Sequence, residues 1–385
     1  MIISDVVEVS VEDSKSLLTF ETVSALSIRI FESIYGVSQF SLTFYDRNIA
    51  PWNAFAEETD LTMRIRIGAK SNMQPSAIWS NWKQVRVTGV ELTSTGNMFS
   101  VVLVGEDGLF DLKNQAPQRV FVMKTISEMI KQIASESNLS GGEIVESTDK
   151  YTLRQGQSSD YEFLQEELLP RLRAQDAEEV YFCYVKQTGE PQLTVSSLTK
   201  KATGEPKLGF RFAMETSESY PFDPLGRAFI SSFSATTKVG ASNYGTKTVT
   251  FDSKKKQGVP YSIVVEANDD KYAYPTFGAE KLKRIGKIPA VVESVTMDNS
   301  SLDFQNEAKT RTSWKLKRVD RIVIPTLLLP KIEVGELAEI DAKVVNEQTT
   351  FGFGRYLIYA VEHVMTSKGA KTITFLERRG VAKGK

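Results

Sequence analysis

At 385 residues the chain exceeds one ordinary hydrophobic core, so more than one domain is expected. Its 47 basic and 48 acidic residues leave a net charge of −1, which argues against tight binding to nucleic acid or acidic membranes, since both need a concentrated positive surface. Cys183 is the only cysteine, so no intrachain disulfide can form; no window approaches the roughly 20 apolar residues of a membrane helix, and Met1 to Val6 lack a signal-peptide pattern.

The first hundred residues read as strands. Leu26, Ile28 and Ile30 alternate with Ser27 and Arg29, and Phe40, Leu42 and Phe44 alternate with Ser41 and Thr43. Period two marks strands with one buried face, here joined by a loop at Tyr35-Gly36. Residues 61–67 carry apolar side chains at every odd position. Val85 and Val87 are followed by Val90 and Leu92 in shifted phase, and Gly89 marks the bulge between them. A near-continuous apolar strand at 98–104 follows a hairpin turn at Thr95-Gly96-Asn97. Antiparallel strands with short turns imply a sandwich or barrel.

The character changes at Gln115-Ala116-Pro117. Thr125-Ile126-Ser127-Glu128 is a helix capping box, followed by Ile126, Met129, Ile130 and Ile133 at helical spacing, with Gly141-Gly142 as the expected stop. A second box, Ser159-Asp160-Tyr161-Glu162, opens a helix striped by Leu164, Leu168 and Leu172, which Pro170 should break or kink. Strands at 180–185 and 192–195 complete a small α/β unit. Cys183 falls in the first of them and reads as a buried, inert thiol.

From about residue 229 the chain returns to β. Strands are expected at 246–251 and 261–265, joined by residues 253–258, and again at 319–324, 336–344, 355–364 and 371–377. A long helix is expected over 302–316, and residues 381–385 form a short basic tail expected to fray.

Little of this carries reaction chemistry. His363 is the only histidine, and triads and most transition-metal sites need histidine with placed partners. It is in phase with Leu357, Tyr359 and Val361, as a packed strand residue would be. Gly352-Phe353-Gly354 lacks the third glycine and the helix of a dinucleotide site. Glu166-Glu167 and Glu178-Glu179 are adjacent pairs that point apart, unlike the paired carboxylates of glycoside hydrolysis. No catalytic, cofactor-binding or metal site is therefore expected, and no enzyme activity. Lys254, Lys255 and Lys256 read as a solvated hairpin tip that could meet an acidic partner surface. Tyr272, Tyr274 and Phe277 form an aromatic cluster suited equally to an interface or to the core.

Four segments carry a resemblance: the opening strand pair ending in Phe44-Tyr45-Asp46; the capped helix and the Ser158-Ser159-Asp160 run into an aromatic-leucine helix; Leu329-Pro330 leading to Gly335 before a strand; and Val361-Glu362-His363 before the last hairpin. In this order the chain resembles the central baseplate hub proteins of contractile-tailed phages, which are related to the hub part of type VI secretion spike proteins. The resemblance implies a mainly β fold of two tail-tube-like β-barrel domains with a smaller inserted α/β domain. On this chain the first barrel would span 1–113, completed by part of 200–228. The insert would span 114–200, and the second barrel 229–385, with its long helix near 301–317. It further implies a homotrimeric ring between the six-fold tail tube protein and the three-fold central spike protein, touching other baseplate proteins. DNA would pass its channel without specific binding. The location implied is the phage tail baseplate, after synthesis in the host cytoplasm, and a stand-alone hub is expected because the chain ends where spike proteins continue into a needle. The rival readings are a tail-associated cell-wall hydrolase and a glycan-binding β module.

Overall fold

The computed structural model describes residues 6–13, 25–46, 62–70, 78–95, 98–172, 181–197, 200–201, 204–212, 228–230, 233–238, 243–252, 257–266, 272–273, 291–297, 319–341, 354–366, 369–379 and 381–382. The expected helix over 302–316 and the hairpin tip at Gly96-Asn97 lie outside the described residues. The first β stretch holds β1 (Val6–Asp13), β2 (Ala25–Ser33), β3 (Gln39–Asp46), β4 (Thr62–Lys70), β5 (Ile78–Trp79), β6 (Lys83–Thr95) and β7 (Met98–Glu106). The middle holds α1 (Leu109–Asn114), β8 (Arg119–Thr125), α2 (Ile126–Glu136), β9 (Lys150–Gln155), α3 (Asp160–Glu162), β10 (Tyr181–Gln187) and β11 (Pro191–Ser197). Then come β12 (Leu208–Phe212), β13 (Ala228–Ile230), β14 (Ser234–Lys238), β15 (Asn243–Asp252), β16 (Gln257–Glu266), β17 (Tyr272–Ala273), β18 (Val291–Met297), β19 (Val319–Leu327), β20 (Leu337–Asp341), β21 (Gly354–Thr366), β22 (Gly369–Arg379) and β23 (Val381–Ala382).

The fold is mainly β, and its two β stretches are joined. β2 pairs with β3 on one side and with β21 on the other, so the first and last β regions share one 14-stranded sheet. No closed barrel is present among the described residues. The junction places Ile30 opposite His363 and Arg29 opposite Val364, and Arg29 Nε lies 2.6 Å from Glu362 Oε1 across it. That ion pair is solvent-facing and contributes little; the junction rests on the strand ladder and the side chains beneath it. The bulge read at Gly89 is present as a register shift between Val87 and Gly89.

The described residues form three apolar cores. The first gathers Ile28, Ile30, Phe40, Leu42, Phe44, Met63, Ile65, Ile67, Val85 and Val87. Burying each of these side chains fully is worth roughly 1.5–3 kcal/mol. The second lies under β19 to β22 and includes Ile34, so one face of β2 and its turn serves both cores. The third fills the α/β middle with Leu109, Phe121, Ile130, Phe163, Leu168 and Leu193. β10 is buried on both faces: Phe182 and Tyr184 enter the second core, while Tyr181, Cys183 and Val185 enter the third. That explains its unbroken apolar run, which shows no alternation.

Local chemistry sets the helices. Thr125 and Ser159 both form complete capping boxes, with Glu128 and Glu162 reaching back. α2 does not run to the glycine pair as expected. It ends at Glu136, where Asn138 adopts the left-handed region (φ 55°) and the N–H groups of Asn138 and Leu139 donate to the carbonyls of Ser135 and Ala134. Asparagine tolerates this conformation better than most residues, so the helix closes early. Gly142 instead permits close approach to β11, because a Cβ there would stand 1.8 Å from the Leu193 carbonyl oxygen. Pro170 acts as expected. α3 widens into a π-helical turn over Phe163–Leu168 and tightens into a 3₁₀ turn at Leu169–Arg171 before Leu172 becomes extended. Proline has no N–H to donate to Glu166, so the regular ladder cannot continue.

Candidate functional interface

The three cores meet at a buried polar junction. Lys83, first in β6, pairs with Glu32 of β2 at 2.7 Å, with side-chain exposures of 2% and 6%. Beside it, the Gln84 N–H donates to the Gln187 side chain, which donates back to the Gln84 carbonyl, both at 3.1 Å. The Asn81 side chain donates to Glu333. Residues 81–84 therefore tie the first β stretch to β10 and to the segment before β20. A charge pair this deep offsets its desolvation only through close geometry, and its clearest effect is to punish the loss of either partner.

His363 is wholly buried on β21, with Nδ1 3.0 Å from Thr372 Oγ1. Burial, and then the nearby Lys83 charge, hold its pKa down to about 3, so the ring is neutral. It is a packed strand residue, as its phase implied. Asp107, just after β7, is also buried. Its carboxyl accepts from the Ser38 and Leu109 N–H groups, both at 3.0 Å, and its own N–H donates to the Ser38 carbonyl at 3.1 Å. Burial pushes its pKa up to about 7 even though those donors favour the anion. Asp107 thus fastens the β2–β3 turn to the start of α1. Burial likewise raises the Cys183 thiol to about 12, outweighing the opposing donation from Gln165 Nε2 to its sulfur at 3.2 Å, so the thiol is held inert.

The surface is more suggestive than the interior. Val120, Val122 and Met123 of β8 are exposed by 60%, 62% and 62%. Val120 and Val122 face out by strand alternation, and a register shift between Phe121 and Lys124, with Met123 at φ 51°, turns Met123 out beside them. Phe121 turns inward and stacks on Phe163 at 5.9 Å, while its neighbours turn out. Phe233, just before β14, and Leu327, at the end of β19, are also exposed. A cleft of about 490 Å³ lies between β6 and α1, lined by Arg86, Thr88, Phe110, Asp111, Asn114 and Gln115. An Arg86–Asp111 ion pair occupies its wall, and its lining contains no histidine, cysteine or serine. Among the described residues no group of three or more His, Cys, Asp or Glu could hold a metal ion, and no helix is long and apolar enough to cross a membrane.

Of the residues singled out for an interface, Lys254, Lys255, Lys256, Tyr274 and Phe277 lie outside the described residues. Tyr272 lies in β17, which pairs with β23, so Val381 and Ala382 of the expected frayed tail are in a two-residue ladder. Glu178-Glu179 and Phe353 also lie outside the described residues. Glu167 pairs with Arg171 one turn on. Trp79 and Trp82, which gather around Arg66, are not singled out by strand patterning or by any motif. Two of four tryptophans three residues apart, after an alternating arginine strand, were the available signal.

No family model and no curated protein sequence matches the chain. Solved structures do share its fold. A 43 kDa tail protein of prophage MuSo2 from Shewanella oneidensis is 10% identical at a TM-score of 0.59, over 96% of this chain and 98% of that one. A tail protein from Neisseria meningitidis is also 10% identical at 0.59, over 97% and 96%. An E. coli component of the type VI secretion system, described as similar to T4 phage tail proteins, is 9% identical at 0.51, over 98% of this chain and 77% of that one. The resemblance read from the sequence therefore holds at the level of fold: the structural neighbours are phage tail and secretion-system proteins.

Proposed function

We propose that this chain is the structural hub of a contractile-tail baseplate, located in the virion and not acting as an enzyme. The observation that carries the reading is the shared fold with phage tail proteins of nearly the same length, end to end. In this reading the β stretches at 1–113, with part of 200–228, and at 229–385 act as two tail-tube-like units, and 114–200 is the inserted α/β unit. Three copies close a ring whose six units face the tail tube protein and whose three-fold face receives the central spike protein. A closed cyclic ring suits partners that are themselves rings.

The internal architecture supports a load-bearing part. The β2–β21 ladder links both β regions within one sheet, and β10 divides its side chains between two cores. A push on one region would pass to the others through hydrogen-bonded strands and packed side chains. The channel at the ring centre would let DNA pass without specific binding, because few phosphate contacts means little counterion release and little affinity. The exposed apolar strip on β8 suits contacts between neighbours in such an assembly.

Cryo-EM of assembled particles tests this. Three copies around a central opening, between tube and spike, are expected. One copy per particle, or three without an opening, overturns the hub. Release of soluble fragments from bacterial cell wall, lost on changing a single carboxylate, would favour the hydrolase instead.

A further inference from the structure

The face of β4 turned away from the core carries a built cation–aromatic site. Met63, Ile65 and Ile67 of β4 point into the core, so Arg64 and Arg66 point the other way. The Arg66 guanidinium lies 4.4 Å from the ring centroids of both Trp79 and Trp82, and Arg64 lies 5.2 Å from Trp82. Both indoles are half-buried.

The backbone is arranged to hold them there. Trp79 is paired with Gly68, and a Cβ at that position would stand 2.7 Å from the Trp79 ring, so glycine lets the indole lie against the strand. Ser80 is anchored twice to Ile67: its N–H donates to the Ile67 carbonyl at 2.8 Å, and its Oγ accepts from the Ile67 N–H at 3.0 Å. Three residues on, Lys83 is pinned by the buried Glu32. Residues 78–83 are thus fixed at both ends, and the two indoles immobilise Arg66 before any partner arrives.

Among the described residues Arg66 nevertheless lacks an anionic partner. It has no ion pair or hydrogen bond among the described residues, and its Nε is buried without an acceptor. A guanidinium held against indoles keeps its planar fork in place, and that fork matches a carboxylate in bidentate geometry. Tryptophan with arginine is also the composition of residues that dominate protein interfaces. A nucleic acid would need a run of phosphate contacts, whereas this site supplies one pre-oriented fork on a chain of near-zero net charge.

We infer that Trp79, Arg66 and Trp82 form a preorganised clamp for a carboxylate side chain, Asp or Glu, presented by a partner protein. The inference leans on the hub reading only for which partner supplies the carboxylate. The clamp's own preference is a property of the isolated full-length chain.

The test is fluorine NMR of the chain labelled with 5-fluorotryptophan, which gives four resonances for its 4 tryptophans. W79F and W82F assign two of them. The probes are the capped peptide acetyl-Gly-Glu-Gly-amide and its glutamine counterpart. Saturable movement of the Trp79 and Trp82 resonances with the glutamate peptide alone, weakened by salt, is expected. R66Q should abolish it, and R66K should weaken it by about tenfold, because an ammonium lacks the planar fork. The inference is overturned if neither resonance of the unsubstituted chain moves, if the glutamine peptide moves them equally, or if inorganic phosphate displaces the glutamate peptide at lower concentration. These outcomes need no variant to fold. A particle lacking the ring would sink the hub and leave the titration untouched.

Discussion

Asp107→Asn should change how stability depends on pH, and the direction follows from two buried groups that oppose each other. The Asp107 pKa is raised from 3.8 to about 7, so the folded state holds its proton more tightly than the unfolded state. Its contribution is full below pH 3.8 and is lost as pH rises towards about 7. The His363 pKa is lowered from 6.5 to about 3, so its contribution is full above pH 6.5 and is lost as pH falls towards about 3. Where the two windows overlap, one group binds an extra proton on folding and the other on unfolding. Their slopes, each about 1.4 kcal/mol per pH unit, cancel. The amide substitution would remove the first slope and leave the second, while keeping an oxygen for the Ser38 or Leu109 N–H. Urea unfolding of both proteins at about pH 4.5, 5.5 and 6.5 should show the variant gaining roughly 3 kcal/mol on the parent across that range. Other titrating groups are common to both proteins and drop out of the difference. A stability difference that stays constant with pH would refute the claim that Asp107 is buried with its proton.

Lys83→Met should destabilise by about 3–5 kcal/mol, since it strands Glu32 without its charge partner, and Glu32→Leu in the same chain should recover most of the loss in a urea midpoint. Gly335→Ala should cost roughly 2–4 kcal/mol, because Gly335 sits at φ 79° and a Cβ would stand 2.4 Å from Tyr184 Oη. Tyr184→Phe should recover little of it, because the ring Cζ that phenylalanine keeps would still stand 2.6 Å from the added Cβ, and the backbone strain remains. Asn138→Gly should be neutral or stabilising, whereas Asn138→Val should cost about 1–2 kcal/mol at the left-handed end of α2, both measured by thermal unfolding.

The sequence by itself determined whatever is local. Alternation marked which faces of β2, β3 and β4 are buried, because side chains on a strand point to opposite sides at every step. Thr125 and Ser159 start their helices through hydroxyl and carboxylate groups within three residues of the bonds they satisfy. Pro170 ends its helix through its own missing N–H. The tertiary structure decided everything that depends on distant partners. The β2–β21 ladder joins residues more than 300 positions apart, such as Ile30 and His363, and it is made of backbone groups common to nearly every residue. Its pairing therefore leaves no mark in residue identity. Lys83 and Glu32 read as surface charges until the fold buries them together, and Phe182 and Cys183 read as one apolar run until two cores claim opposite faces of β10. The Arg66 clamp is of the same kind. Its indoles lie more than ten residues from its arginine, and only the β4–β5 pairing over Gly68 brings the cation to the rings. Propensity and capping act within a few residues, whereas desolvation and strand pairing depend on what the rest of the chain brings alongside.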